Sequence, residues 1–238
     1  MKSDKDPMGR AIADFHKGGK WARIRVFSPM FDEDEIPVKT LFRPLEEMPA
    51  IEQEALRLAH GHILDVGGGA GCHSLALQQM GKQVTAIDIS PLAVATMRER
   101  GVLDAQEQDF FTHEGQYDTI IMLMNGIGIV GTLKRLPAFF MQVDRLLKPG
   151  GEVLCDSSDI CYVFEDEDGF IDLTGIDGYY GELTYRMQYK DTKGDPFPWL
   201  FIDPETLTEH ARANGFHAEV IARGGHYDYL ARITRLKR

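Results

Sequence analysis

The stretch that most restricts what this chain can fold into runs from Ile63 to Leu77 and reads I-L-D-V-G-G-G-A-G-C-H-S-L-A-L. Ile63, Leu64 and Val66 around Asp65 suit a short buried strand, and Gly67, Gly68, Gly69 and Gly71 then stop it. From His73 to Met80 the apolar residues fall at helical spacing, so the unit reads as strand, tight glycine turn and helix. Glycines in such a turn admit positive φ and a ligand close to bare backbone. The first amides of a helix starting near Cys72 face that ligand with no helical partners of their own. This is a nucleotide-type cradle.

A dinucleotide turn needs glycine at the first, third and sixth positions of G-x-G-x-x-G; counting from Gly67, the fifth position is Gly71 and the sixth is Cys72. The run is instead D-x-G-x-G-x-G. Asp65, two residues before Gly67, would repel a pyrophosphate and suits a ligand carrying positive charge. On these residues the chain resembles the class I S-adenosylmethionine-dependent methyltransferases, whose first motif has this form and whose ligand bears a sulfonium and an ammonium. The resemblance runs from about Gly61 to Arg235, in motif order as well as content. It implies an α/β, Rossmann-like fold: a seven-stranded, mostly parallel sheet with an antiparallel last strand, in a three-layer sandwich. Residues 1–44 would form an N-terminal extension or cap and 45–238 the core, with an insertion near 157–202 that carries an added β-hairpin.

Later motifs follow in the expected order. Gln83 to Asp88 reads as a second strand, and Asp88 lies about 20 residues beyond the glycine turn, the spacing at which a carboxylate reaches ribose hydroxyls. Each of its oxygens can accept a hydroxyl proton. Ser90-Pro91 supplies the start of the next helix, which runs to Arg100 and stops at Gly101, so Asp88 is expected to be left free, with Ile89 beside it in the cofactor set. Leu103 to Gln108 is a weak third strand. At its end the resemblance assigns Asp109 to the adenine amino group and the backbone amide of Phe110 to the ring. Tyr117 to Met124 is the strongest buried-strand signal, and it stops at N-G-I-G, which makes Asn125 the polar side chain expected to face the reacting centre. N-P-P-Y or D-P-P-Y would mark methylation of base or glutamine amino groups; N-G-I-G argues against both.

Leu133 to Leu147 reads as a helix with Pro137 in its first turn, and K-P-G-G then leads into a fifth strand, Glu152 to Cys155. Asp156 to Asp159, D-S-S-D, follows on the ligand side, where Ser157 and Asp159 are substrate-pocket candidates. An acidic, aromatic stretch, C-Y-V-F-E-D-E-D-G-F, reads as a solvated surface loop, its alternative being a lid for a cationic substrate. Gly181 to Lys190 and F-P-W-L-F-I form the added hairpin. Asp203-Pro204 caps a helix to Asn214-Gly215, and two strands around Gly224-Gly225 close the sheet edge.

Upstream, Met1 to about Gly9 is expected to be mobile, Ile12 and Phe15 to lie on a short helix, Trp21 to Phe27 to be a strand and Asp32 to Pro37 a loop. In the family this region caps the pocket, so His16, Trp21 and Arg43 are candidates for contact with substrate or the methionine moiety. Pro49 to His60 is an amphipathic helix, with Glu52 and Glu54 near its start, where the helix dipole favours acids.

A net charge of −11 opposes nucleic acid as a partner, because phosphate binding needs a basic surface. No apolar run is long enough to span a bilayer, so no membrane partner is expected. Three cysteines without a C-x-x-C pair, and a polar start unlike a signal peptide, point to a reducing cytoplasm and structural thiols. No metal-site spacing and no nucleophile triad are visible. The expected cofactor is S-adenosyl-L-methionine and the expected partner a small-molecule methyl acceptor, the oligomeric state being left open. A non-catalytic protein binding S-adenosylmethionine or S-adenosylhomocysteine on the same fold is the alternative. Methyl transfer needs a base only if the acceptor must lose a proton. His16, His73, Asp156, Asp159 and His226 are on offer for that role, and none is singled out.

Overall fold

The computed structural model describes residues 3–19, 22–166 and 169–237. A 3₁₀ turn, Ser3–Lys5, leads into helix α1 (Pro7–His16), started by Pro7 and by the Asp6 carboxylate, which accepts the Gly9 amide at 2.7 Å. The expectation of a mobile start from Met1 to about Gly9 therefore fails from Ser3 onward, because Asp6 is a buried N-cap; Met1 and Lys2 lie outside the described residues. Strand β1 (Arg23–Ser28) matches the alternating apolar and basic pattern. The acidic run expected as a loop is strand β2 (Phe31–Pro37), paired antiparallel to β1. Two of its four acids, Glu33 and Glu35, are paired across the strands with Arg25 and Arg23, which helps an exposed acidic edge strand to form.

Helix α2 (Ala50–Leu58) precedes the alternating strands and helices of the core: β3 (His62–Val66), α3 (Cys72–Gln79), β4 (Gln83–Asp88), α4 (Pro91–Arg100), β5 (Ala105–Glu107) and β6 (Tyr117–Met122). Next come α5 (Leu136–Leu146) and β7 (Leu147–Ser158). Local chemistry sets these bounds. In α4, Ser90 accepts the Ala93 amide, Pro91 fits the first turn and Gly101, at φ 99°, closes the C-terminus. The helix expected from Leu133 begins with a 3₁₀ turn and becomes α-helical at Leu136, with Pro137 in its first turn. β7 is longer than expected at both ends, since β6 pairs with one side and the last strand with the other.

The hairpin follows as β8 (Glu182–Tyr189), β9 (Thr192–Lys193) and β10 (Phe197–Leu200), then α6 (Pro204–Ala213), β11 (Phe216–Arg223) and β12 (Asp228–Arg235). The main sheet has the order β11-β12-β7-β6-β3-β4-β5, parallel except for β12, which runs antiparallel to both neighbours. Residues alternate across it. Ile120 and Met122 pack with Leu136, Phe139, Phe140, Leu207 and Ala211 of α5 and α6, whereas Ile121 and Leu154 pack with Ile51, Leu56 and Leu77 of α2 and α3. These are the three expected layers. The chain reverses direction of winding between β3 and β6, so a crevice opens at their C-terminal ends.

A second, antiparallel sheet has the order β10-β8-β1-β2, with β9 beside β8. It joins the N-terminal segment to the hairpin of the insertion. Helix α1 lies between the two sheets: Ala11 packs with Ile24, Val38 and Tyr189, while Ile12 packs with Leu41, Ala70 and Ala93.

Candidate functional site

The glycine loop crosses the C-terminal end of β3 and is fastened to β4, with the Gly67 and Gly68 amides both donating to the Ile87 carbonyl. Gly67 and Gly69 hold φ of 73° and 56°. A Cβ on Gly67 would meet nothing within 4 Å, and one on Gly69 only the Gly67 carbonyl at 3.8 Å. This side of the loop therefore faces open space that a side chain would fill. Gly68 and Gly71 are small for the opposite reason: a Cβ there would meet Met97 or Val102 at 2.8 Å, so α4 can press on the loop from behind.

Asp65 and Asp88 flank this hollow. Asp65 is buried and accepts the Ser74 hydroxyl at 2.5 Å; burial raises its pKa, against the opposing pull of His73 and Ser74. Asp88 is not free as expected. One oxygen accepts the Gly69 amide at 2.9 Å and the other the Ser90 amide at 2.8 Å, so it braces both the glycine loop and the start of α4. Ser90 does cap α4, yet its own backbone amide still requires an acceptor. Burial pushes the Asp88 carboxyl up to about 6. Each oxygen retains a lone pair for a hydroxyl donor. Ile89, next to it, is exposed at 46%.

Behind the loop lies a buried polar group that the sequence did not disclose. Arg43 reaches Glu52 with both contacts at 2.5 Å and the Thr40 carbonyl at 2.8 Å, and Glu52 in turn meets His73 Nε2 at 2.8 Å. Burial pushes the Glu52 carboxyl up, but His73 and Arg43 together outweigh it and hold the group below its usual range. Glu52 looked like a dipole-compensating surface acid; the only sequence signal for burial was its place one residue after Ile51 on the apolar face of α2. Arg43 Nε is buried with no partner. An orphaned guanidinium N–H fits a carboxylate-bearing ligand.

Asp109 is exposed and caps a short 3₁₀ turn by accepting the Phe111 amide, while the Phe110 ring is buried against Phe139. Asn125 follows β6 in a left-handed conformation at φ 57°. Its amide is engaged at both ends, donating to the Leu200 carbonyl at 3.1 Å and accepting the Ser157 hydroxyl at 2.9 Å. Ser157 Oγ also accepts the Ile202 amide at 3.0 Å, which ties β7 to the end of the hairpin. Asp156 is buried and accepts the Met124 and Gly126 amides; burial pushes it up to about 7. Asp159 accepts the Tyr180 hydroxyl at 2.7 Å.

The other candidates are dispersed. His16 sits 3.3 Å from Glu99, at the end of α1. His73 is committed to Glu52. His226 is exposed on the β11–β12 turn. Trp21 lies outside the described residues. The sequence reading missed Trp199, whose ring fills the space that a Cβ on Gly128 would need, at 2.3 Å. It also missed Tyr179 and Tyr180, in ring contact at 4.6 Å, beside Asp203 and Asp159. Trp199 was read only as part of the returning hairpin strand, and Tyr179 and Tyr180, which precede the hairpin, carried no periodic signal.

A shallow depression lined by Arg57, His60, His62, Lys82, Asp118 and Lys148 lies at the opposite, N-terminal edge of the parallel strands and shares no residue with the cradle. Burial pushes the Cys72 thiol up to about 12, which suits a packing residue rather than a nucleophile. Among the described residues no cluster of His, Cys, Asp or Glu could hold a metal ion, and no helix is long and apolar enough to cross a membrane.

Residues 63–151 match the family described as a methyltransferase domain. A crystal structure of an S-adenosylmethionine-dependent methyltransferase from Bacteroides fragilis, in complex with S-adenosyl-L-homocysteine, is 56% identical, with a TM-score of 0.93 over 99% of this chain and 97% of that one. A cypemycin N-terminal methyltransferase from a Streptomyces species is 29% identical over 41% of this chain and 42% of that protein. A ubiquinone biosynthesis O-methyltransferase from Pseudomonas aeruginosa is 32% identical over 56% of this chain and 55% of that protein. The matches to these two curated relatives thus span only 42% and 55% of their lengths.

Proposed function

Since this chain belongs to the S-adenosylmethionine-dependent methyltransferases, we propose that it transfers the methyl group in line to a small-molecule acceptor. The observation that carries the proposal is the open side of Gly67 and Gly69 next to the lone pairs of Asp88. S-adenosylmethionine, when bound, supplies an activated methyl group on a sulfonium. In this proposal Gly67 and Gly69 admit the methionine part while Gly68 and Gly71 let the loop close against α4, Asp65 steers the loop and favours the ammonium, and Arg43 takes the carboxylate. Asp88 and Ile89 hold the ribose, and Asp109 with the Phe110 amide reads adenine. Asn125 shapes the reacting centre, whereas Ser157 and Asp159 stand on the acceptor side; His16, beside Glu99 at the far end of α4, takes no part in this proposal.

The leaving group departs neutral, so no covalent nucleophile is required of the chain. Its residues orient donor and acceptor and exclude water, an effect that can remove on the order of 7–11 kcal/mol of barrier. The N-terminal segment supports exclusion, since Ile12 of α1 and Leu41 of the 3₁₀ turn Val38–Phe42 pack against Ala70 of the glycine loop. The acidic chain disfavours polyanionic acceptors.

Titration calorimetry with S-adenosylmethionine, S-adenosylhomocysteine and NAD tests the cradle, with binding of the first two and none of the third expected. Turnover is tested by S-adenosylhomocysteine release against amines, phenols and carboxylates. One relative is named for O-methylation and another for methylation at an N terminus, so hydroxyl and amine acceptors lead the panel. Binding with inertness across the whole panel would replace the catalytic reading with a cofactor-binding one.

A further inference from the structure

Two consecutive residues that are not glycine, Met124 at φ 63° and Asn125 at φ 57°, adopt the left-handed conformation directly after β6. Each costs on the order of 1–3 kcal/mol, and such strain persists only where the surroundings over-determine it. The turn also sits beside the cradle, because the Met124 side chain packs with Ile12, Leu41 and Ala70. What holds it is almost entirely on the next strand. Asp156 accepts the Met124 amide at 3.0 Å and the Gly126 amide at 3.3 Å, one on each carboxylate oxygen. Asn125 is fixed separately, through Leu200 and Ser157.

We propose that Asp156 is a positioning residue of the methyl-transfer centre: its carboxylate clamps the strained Met124–Asn125 turn against the glycine loop and so sets the floor on which donor and acceptor are aligned. The inference rests on the methyltransferase reading of the cradle. Asp156 is buried and both its oxygens are occupied by backbone amides, which leaves it fixed in place rather than available to take a proton from an acceptor. An asparagine amide at this position has one acceptor oxygen instead of two, and its NH2 group would face the second backbone amide, which then lacks a partner. The ionisable groups facing the carboxylate are Glu52 from α2, which disfavours its charge, and His73 from α3, which favours it; Arg43 is engaged by Glu52. Burial, acting first, leaves Asp156 titrating at about 7, so the closed segment holds this proton more tightly than an opened, solvated one, and opening becomes easier as pH rises through about 7.

The test compares the full chain with Asp156→Asn, and with Ser157→Ala as a neighbouring control that leaves both amides clamped. Hydrogen exchange of the segment spanning residues 119–132, corrected for intrinsic rates, is followed from pH 6 to pH 8 without ligand, and S-adenosylhomocysteine affinity is measured by calorimetry at pH 8. In the native chain protection of this segment should rise as pH drops through about 7, because the closed state is the one that holds the Asp156 proton. Asp156→Asn should exchange at least about tenfold faster at pH 8, show no such pH step, and bind S-adenosylhomocysteine about tenfold more weakly. Ser157→Ala should retain the step. A purely structural role would accelerate exchange throughout the chain and leave the step in place, which would overturn the proposal, as would native-like exchange and affinity in Asp156→Asn. Failure of the native chain itself to bind S-adenosylhomocysteine would overturn the cofactor reading instead, and is distinguishable because the exchange step needs no ligand.

Discussion

The two sheets of this protein are built by opposite means. The main sheet grows from consecutive strand–helix units, each set by its own short sequence: an apolar strand, a glycine or Ser-Pro start, a helix, a glycine stop. Its catalytic edge is assembled from the ends of those same strands. The second sheet pairs β1 with β8, joining Val26 to Met187 and Arg25 to Gln188 across most of the chain. In the proposed function the first arrangement supplies the cofactor cradle, and the second, through Leu200 and Trp199 of β10, supplies the surroundings in which an acceptor would sit. Cofactor chemistry is therefore a local property of this chain and acceptor choice a long-range one.

The sharpest way to break that division is Gly69→Val. The position combines φ 56° with open space on the ligand side, so a β-branched residue is both strained and obstructive. Binding of S-adenosylhomocysteine should weaken by about a hundredfold or more, the backbone strain alone being on the order of 1–3 kcal/mol. Native affinity in a calorimetric titration would show that the hollow is not the cradle.

Next in size is Arg43→Ala, which cuts the link between the N-terminal segment and α2. Glu52 would keep His73 but lose its guanidinium partner while still buried, and breaking such a pair costs about 3–5 kcal/mol. Urea unfolding should register this loss; a change below about 1 kcal/mol would mean that the pair is solvated. Ile24→Ala acts within the second sheet only. Ile24 is fully buried against Ala11, Val38 and Tyr189, so truncation should cost about 2–5 kcal/mol. S-adenosylhomocysteine affinity should nevertheless stay within about threefold, because α1 stands between the Ile24 cluster and the glycine loop and the two clusters share neither Ile24 nor Ala70. A large loss of affinity would merge the two regions into one cooperative unit.

The same contrast explains what could be read from the sequence. The bounds of α4 and the burial of β6 followed from adjacent residues, as did the positive φ of the glycine loop. β2 could not be read, because its acids are tolerable only opposite Arg23 and Arg25, and that pairing is invisible until the hairpin forms. Glu52 was misplaced for a related reason: its partners come from a 3₁₀ segment before it and a helix beyond β3. Asp88 was identified by spacing, but its bracing of Gly69 was not, since a backbone amide carries no sequence signature.

The smallest expected effect concerns the joint between the cradle and α4. Burial raises the Asp88 pKa to about 6 from a usual value of 3.8, so the folded chain holds this proton more tightly than the unfolded one. The stability it contributes is full below pH 4 and is lost as pH rises through 6. Asp88→Asn removes that loss while preserving shape. Its stability relative to the native chain should therefore rise by roughly 1–3 kcal/mol between pH 4 and pH 8, about two units at 1.36 kcal/mol each setting the upper bound. Groups held low, such as Glu52 and Asp203, lose their contribution at the acid end in both proteins and cancel in the difference. S-adenosylhomocysteine should bind the variant about tenfold more weakly, for the loss of one charge-assisted hydrogen bond. A pH-independent difference in stability would show that the Asp88 carboxylate is hydrated in the ligand-free chain, and the bracing of Gly69 would then be too weak to hold the loop ready.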